Sequence, residues 1–307
     1  MFKIGVQTGD ILDRYGIENG FRMIKEAGFD VVDFNIDHCM RCSEIRTGNF
    51  SGFLDQSVEA ILEAAKPYKE AAAKYGIGFG QAHAPFPTHV EGENAEYRDQ
   101  KVLEGLKKCI AICGYVGCPH IIVHPAFNAY ETRLDPDDEW ELNMKMYKAL
   151  IPDLKKYHVT CCLENMFTAN KGKIYSAICS DFNEADAYID ELNDIAGEKC
   201  FAFCLDVGHA LLLGLDIYTA IMQVGERLET LHIHDNDGRS DQHLAPYMGI
   251  LDWERFVKGL RDVEYKGNLS FETFNVLNVF DRELAQEVLN LIGATGRLFA
   301  KKIEAQA

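Results

Sequence analysis

The sequence predicts a single-domain α/β fold, a (β/α)8 barrel occupying residues 1–307. Two observations carry that expectation. Short apolar runs alternate with amphipathic helical stretches along the whole chain, and no low-complexity segment or linker interrupts them. The alternating unit occurs eight times, the number that closes a parallel sheet on itself, and about 250 residues suffice for such a domain. A doubly wound open sheet shares the alternation and is the alternative.

The first strand is read at residues 2–7, followed by a helix over 17–27 that ends at Gly28 and a second strand over 31–35. Glycine after the last helical residue is the usual stop, because it adopts the left-handed conformation without strain. The unit repeats as helix 57–74 with strand 77–83, helix 95–115 with strand 120–124, and helix 137–157 with strand 159–164. It continues as helix 183–195 with strand 200–206, helix 213–224 with strand 228–234, helix 253–261 with strand 268–272, and a last helix over 281–301. The longest irregular stretches follow strands two, five and seven, on the side where barrel loops build active sites.

Composition narrows the function classes. With 48 acidic against 31 basic residues the formal charge is -17, which opposes binding to a phosphate backbone. No apolar run approaches the roughly 20 residues of a membrane span, and the N-terminus reads straight into a strand, so a cytoplasmic, soluble protein with no membrane or nucleic-acid partner is expected. Ten cysteines are spread over the chain. Several, such as Cys161, Cys162 and Cys204, sit in apolar strands and read as reduced thiols, and Cys39-Met-Arg-Cys42 has no second pair to complete a zinc site.

Six strands end on side chains able to bind a metal: His83, His124, Glu164, Asp206, His234 and Glu272. Strand side chains alternate faces, so Glu164 shares a face with Cys162, Asp206 with Cys204, His234 with His232 and Glu272 with Ser270. Leu163, Leu205, Ile233 and Phe271 then point outward to helices. Ionisable groups converging on one end of a sheet repel or are costly to desolvate without a cation. Mixed carboxylate and imidazole donors suit manganese, zinc, cobalt or magnesium.

The segments CLEN, CLDVGHA, HIHDNDGRSDQH and SFET resemble the metal-site segments of the xylose isomerase-like TIM barrel superfamily, which contains sugar-phosphate isomerases and epimerases and ketose 3-epimerases. The resemblance spans nearly the whole chain. It implies one divalent ion, manganese first, held by Glu164, Asp206, His234 and Glu272, with His209 touching the substrate. His83, His124 and Arg239 are further candidates for substrate binding. In the ketose epimerases two glutamates exchange a proton with a substrate carbon, roles that fall here to Glu164 and Glu272. The implied activity is therefore isomerisation or epimerisation of a sugar, sugar phosphate or polyol in carbohydrate metabolism.

The same superfamily leaves other chemistry open: dehydration of an inosose, cleavage of a carbon-linked glycoside with a partner subunit, and DNA repair of the endonuclease-four type. The last uses up to three zinc ions, and His83, His124, His209, Asp241 and His243 resemble its additional ligands. A non-catalytic sugar-binding module is the reading from a different class. His232, one pleat deeper than His234, is expected to be a hydrogen-bonded interior histidine. The loop after strand seven is expected to be held by Asp235, Asp237, Arg239 and Asp241, and aromatic residues Phe34, Phe86, Phe127 and Phe167 are candidates for a wall beside a sugar. On the last helix, Leu289, Leu291 and Leu298 fit either a core or a homo-oligomer contact.

Overall fold

In the computed structural model, which describes residues 1–50, 52–128 and 133–305, the apolar runs form eight sheet strands. They are β1 Ile4–Gln7, β2 Val31–Asn35, β3 Gly78–His83, β4 His120–Ile122, β5 Thr160–Glu164, β6 Phe201–Asp206, β7 Leu228–His232 and β8 Leu269–Phe271. Each strand neighbours its predecessor in sequence, and β8 lies beside β1. A parallel bridge between Ile233 and Phe271 joins the ends of β7 and β8, so the sheet has the cyclic order of a (β/α)8 barrel and not the reversal of an open doubly wound sheet.

The chain's contacts group into two compact units. The first comprises Met1–Phe34, Pro67–Gly80 and Cys204–Ala307. In it Ile4 pairs with Leu269 and Gly5 with Val31, in parallel register on the two sides of β1. The helices Ile17–Glu26, Trp253–Asp262 and Ala285–Glu304 cover these strands, burying Phe21, Ile24, Phe256, Phe271 and Phe299. The last helix approaches closely because residue 296 is glycine: a Cβ there would stand 2.5 Å from Ile4 Cγ2 and 2.8 Å from the Phe271 ring.

The second unit comprises Asn35–Lys66 and Gln81–Phe203. His83 pairs with Ile122, and Ile121 with Cys161, both in parallel register. Tyr147 is fully buried and donates its hydroxyl to the Val123 carbonyl at 2.8 Å, which ties a helix to the end of β4. All ten cysteines are free thiols, and eight of them are buried as small apolar side chains. An antiparallel hairpin, Phe167–Asn170 with Lys173–Ser176, follows β5 and was not expected from the sequence.

One helix expected as continuous is broken, and another starts later than expected. The stretch 137–157 forms Pro136–Lys148 and then Ile151–Tyr157, with Pro152 in the first turn of the second. Proline lacks the N–H that an interior position requires and is accommodated only at a helix start. The stretch 213–224 begins instead at Ile217, after a separate helix Val207–Leu212. Gly214 takes φ +70° between them, and Asp216 starts the next helix by accepting from Thr219 N at 2.9 Å. No helix among the described residues is long and apolar enough to cross a membrane.

The loop after β7 is organised by one carboxylate. Asp235 is fully buried and accepts from the backbone N–H groups of Asn236, Tyr247 and Leu251 and from Trp253 Nε1, at 3.0 to 3.1 Å. Its own backbone exchanges two hydrogen bonds with Leu244, which folds the segment back. Asp237, by contrast, is exposed and accepts only from the local turn at Arg239 and Ser240. Truncating a buried acceptor leaves several donors unsatisfied, each costing about 1–3 kcal/mol. Asp235→Ala is therefore expected to lower unfolding stability by about 3–4 kcal/mol in chemical denaturation, and Asp237→Ala by less than about 1 kcal/mol. Equal effects of the two substitutions would contradict this account of the loop.

Candidate metal centre

In the first unit, β6, β7 and β8 each deliver an ionisable side chain at or just beyond the C-terminal end. Asp206 closes β6 and caps the helix Val207–Leu212, its Oδ1 accepting from His209 N at 2.7 Å. His234 lies two residues past β7, fully buried, with Nε2 3.0 Å from both Asp206 oxygens. Glu272 follows β8; its Oε1 accepts from Gln7 Nε2 at 3.2 Å, and its Oε2 lies 3.4 Å from His243 Nδ1. Ligand atoms of Asp206, His234 and Glu272 all lie within 4.8 Å of one another.

The loop after β7 brings more donors to the same place. His243 Nδ1 donates to the Glu272 carbonyl at 3.1 Å and its Nε2 to Asp241 Oδ2 at 2.9 Å. Its ring is stacked on His234 at 4.1 Å, with Phe274 at 4.3 Å on its own ring. His209 Nε2 stands 3.6 Å from Asp241 Oδ2. His234, Asp241 and His243 thus form a further group able to share an ion. Burial works against a charged imidazole at His243, yet the negative charge of Glu272 and the Asp241 bond hold its pKa well above the ordinary histidine value. Burial would likewise raise Asp241, but His209 and His243 keep its carboxyl well below the usual range.

Beneath this layer His232 is fully buried, as a residue one pleat deeper should be, with Nε2 3.2 Å from Asp33 Oδ2 and Nδ1 3.6 Å from Glu272 Oε2. Asp33 and Gln7 were not singled out from the sequence. Both were legible as polar side chains inside otherwise apolar strands, Gln7 at the end of β1 and Asp33 within VVDFN. Gly208 was missed for a different reason. A Cβ at that position would lie 1.9 Å from His234 Cε1, so the imidazole rests directly on the helix backbone, a contact between segments distant in sequence.

In the second unit His83, His124 and Glu164 come together. His83 Nδ1 donates to the Ala84 carbonyl at 2.9 Å, which turns Nε2 toward His124 Nε2 at 3.1 Å. His124 Nε2 is also 3.1 Å from Glu164 Oε2. Phe86, half-exposed, sits against both imidazoles with ring centroids 4.9 and 5.4 Å away. Arg239, by contrast, is exposed in the loop after β7, and among the described residues no hydrogen bond or ion pair joins its guanidinium to either cluster.

A divalent ion fits the first unit's cluster on the chemistry of its donors. Two carboxylates and an imidazole face one another within the span of a single coordination sphere, where metal–ligand bonds are about 2.0–2.2 Å. Asp241 Oδ1 and His234 Nδ1 are buried and hydrogen-bond to nothing among the described residues. Such atoms are costly unless a ligand, ion or water satisfies them.

Comparison with known proteins agrees with this architecture. The chain is 26% identical over 274 residues to the uncharacterised protein y4fM of Sinorhizobium fredii, covering 84% of this chain and 81% of that one. The fold matches a structure of L-ribulose 3-epimerase with a TM-score of 0.71 at 17% identity, covering 99% of this chain and 95% of the other. It also matches a crystal structure of the IOLI protein with a zinc atom, with a TM-score of 0.70 at 14% identity, covering 99% and 100%. At such identities these structures speak for the fold alone. A family model described as xylose isomerase-like TIM barrel matches residues 21–293, and the chain belongs to that family.

Proposed function

We propose that the chain is a divalent-metal-dependent isomerase or epimerase of a sugar, sugar phosphate or polyol, acting by proton abstraction α to a carbonyl. The observation that carries this reading is the buried Asp206–His234–Glu272 cluster at the C-terminal ends of successive strands. These three residues would hold the ion, and Glu164 is assigned as the fourth ligand on the sequence resemblance. One protein of similar fold is an epimerase and another contains zinc, and both properties are carried over to this chain as part of the proposal. Manganese is the first choice, with zinc, cobalt and magnesium compatible with the same donors.

A bound ion would polarise adjacent substrate oxygens and so acidify the carbon-bound hydrogen between them. The chain's own residues do the rest. Glu272 is oriented by Gln7, which donates to its Oε1. Glu164 and Glu272 take and return the proton, serving as base and conjugate acid. His209, held over Asp206 by its backbone N–H, and the His83–His124 pair supply hydrogen-bonding groups to substrate hydroxyls. Arg239, exposed on the loop, is the candidate for a phosphorylated or carboxylated end of the substrate.

A second reading, a multi-ion hydrolase of the endonuclease-four type, is favoured by the His83–His124–Glu164 and His234–Asp241–His243 groupings. The formal charge of -17 counts against a DNA substrate. Incision of a duplex carrying an abasic site would establish that reading in place of the first.

The first reading is tested by hydrogen exchange at carbon. With a panel of ketoses, inososes and their phosphates in heavy water, the manganese-loaded protein is expected to incorporate deuterium. Glu164→Gln and Glu272→Gln should each slow this by roughly 10²–10⁴-fold while circular dichroism is unchanged. Undiminished exchange in either variant contradicts its assigned role. A second prediction concerns Gly208. Its replacement by alanine should push His234 aside and weaken metal affinity by about 10–100-fold in calorimetric titration, with little loss of fold. Wild-type affinity in that variant would remove His234 from the ligand set.

A further inference from the structure

The C-terminal helix resolves the ambiguity of its leucines in an unexpected way. Leu289 is 1% exposed and belongs to the core, whereas Leu291 is 63% and Leu298 43% exposed. Leu284, in the turn just before the helix, is 47% exposed. These three are spaced seven apart, so they fall on one line along the outer face, with exposed Ala294 between the last two. Beside that line, Met248, Phe280 and Leu284 border an apolar groove whose floor is Val288 and Ile292.

A line of exposed leucines on one helix face offers contact to another helix, and a groove next to it receives a side chain. Six large apolar side chains are exposed here, Met248, Val279, Phe280, Leu284, Leu291 and Leu298. Each shows about 100 Å², so together they offer roughly 500–600 Å² of apolar surface. Monomers seldom expose contiguous patches beyond a few hundred Å², whereas a standard interface buries about 800 Å² per partner, including its polar rim. The area is that of the core of one interface.

We infer that this face pairs with a second copy of the same chain, the two C-terminal helices running antiparallel about a two-fold axis near Leu291. Charge favours this occupant and this direction. The chain as a whole carries -17, whereas residues 281–304 carry four acidic and four basic side chains, so two copies meet here without the repulsion of the rest of the surface. The segment is net acidic at its start, with Asp281, Glu283 and Glu287 against Arg282, and net basic at its end, with Arg297, Lys301 and Lys302 against Glu304. An antiparallel register centred on Leu291 sets Leu284 against Leu298 of the second copy and Asp281 against its Lys301. A parallel register would set like charges together.

Sedimentation equilibrium at about 50 μM chain tests this. The wild type is expected to be a dimer, and Leu291→Glu a monomer at the same concentration with unchanged circular dichroism, a loss of at least about 100-fold in affinity. Should Leu291→Glu fold poorly, Ala294→Glu on the same exposed line serves in its place. Lys301→Glu should weaken the dimer, and Asp281→Lys with Lys301→Glu should restore it. A monomeric wild type, including one that captures a different macromolecule through this face, overturns the inference. So does a dimer indifferent to charge at 291 or 294, and failure of the paired charge swap overturns the antiparallel arrangement.

Discussion

Burying carboxylates beside one another is the constraint on which this structure turns. Asp206 and Glu272 lie in the interior of one unit with Asp241 over them, and among the described residues the cation-forming groups paired with them are histidines. Unpaired charges in such surroundings are expensive, and the surrounding features read as ways of meeting that cost. Gln7 donates to Glu272, a helix N-terminus faces Asp206, and His243 is pushed toward its charged form between Glu272 and Asp241. A divalent cation held by these donors would satisfy the same charges. The fold supplies the rigid strand ends that hold the donors apart by fixed amounts.

Much of this was legible from strand periodicity. A side chain that closes an apolar run at the end of a parallel strand has few places to point, so Asp206, His234 and Glu272 stood among six candidates read from position, and the family resemblance singled them out as ligands. His232 is buried beneath them, as a position one pleat deeper implies. The barrel closure followed from counting units, because eight alternations leave β8 beside β1. What escaped were features decided by contacts between distant segments. Gly208 is required by an imidazole 26 positions later, and Gln7 matters because β1 lies next to β8. The hairpin after β5, the broken helix and the late helix start were local failures: Pro152 and the Gly214–Asp216 pair carry the signals that end and restart helices.

The helix at the C-terminus shows the same division of labour within a single element. Its inner face is shaped to meet β1 and β8, to the point of needing glycine at 296, while its outer face keeps leucines that the core does not use. One periodicity in the sequence therefore encodes two surfaces, and only burial separates them. The loop after β7 is similarly double: Asp235 anchors it from inside, and Asp241 and His243 project from it toward the cluster.

The ion content of the purified chain tests the central claim most directly. Elemental analysis after dialysis against manganese is expected to find about one divalent ion per wild-type chain, and essentially none in Asp206→Asn or His234→Ala chains that retain the wild-type circular dichroism. A wild-type chain that takes up no divalent ion, or variants that bind it as the wild type does, would contradict the account.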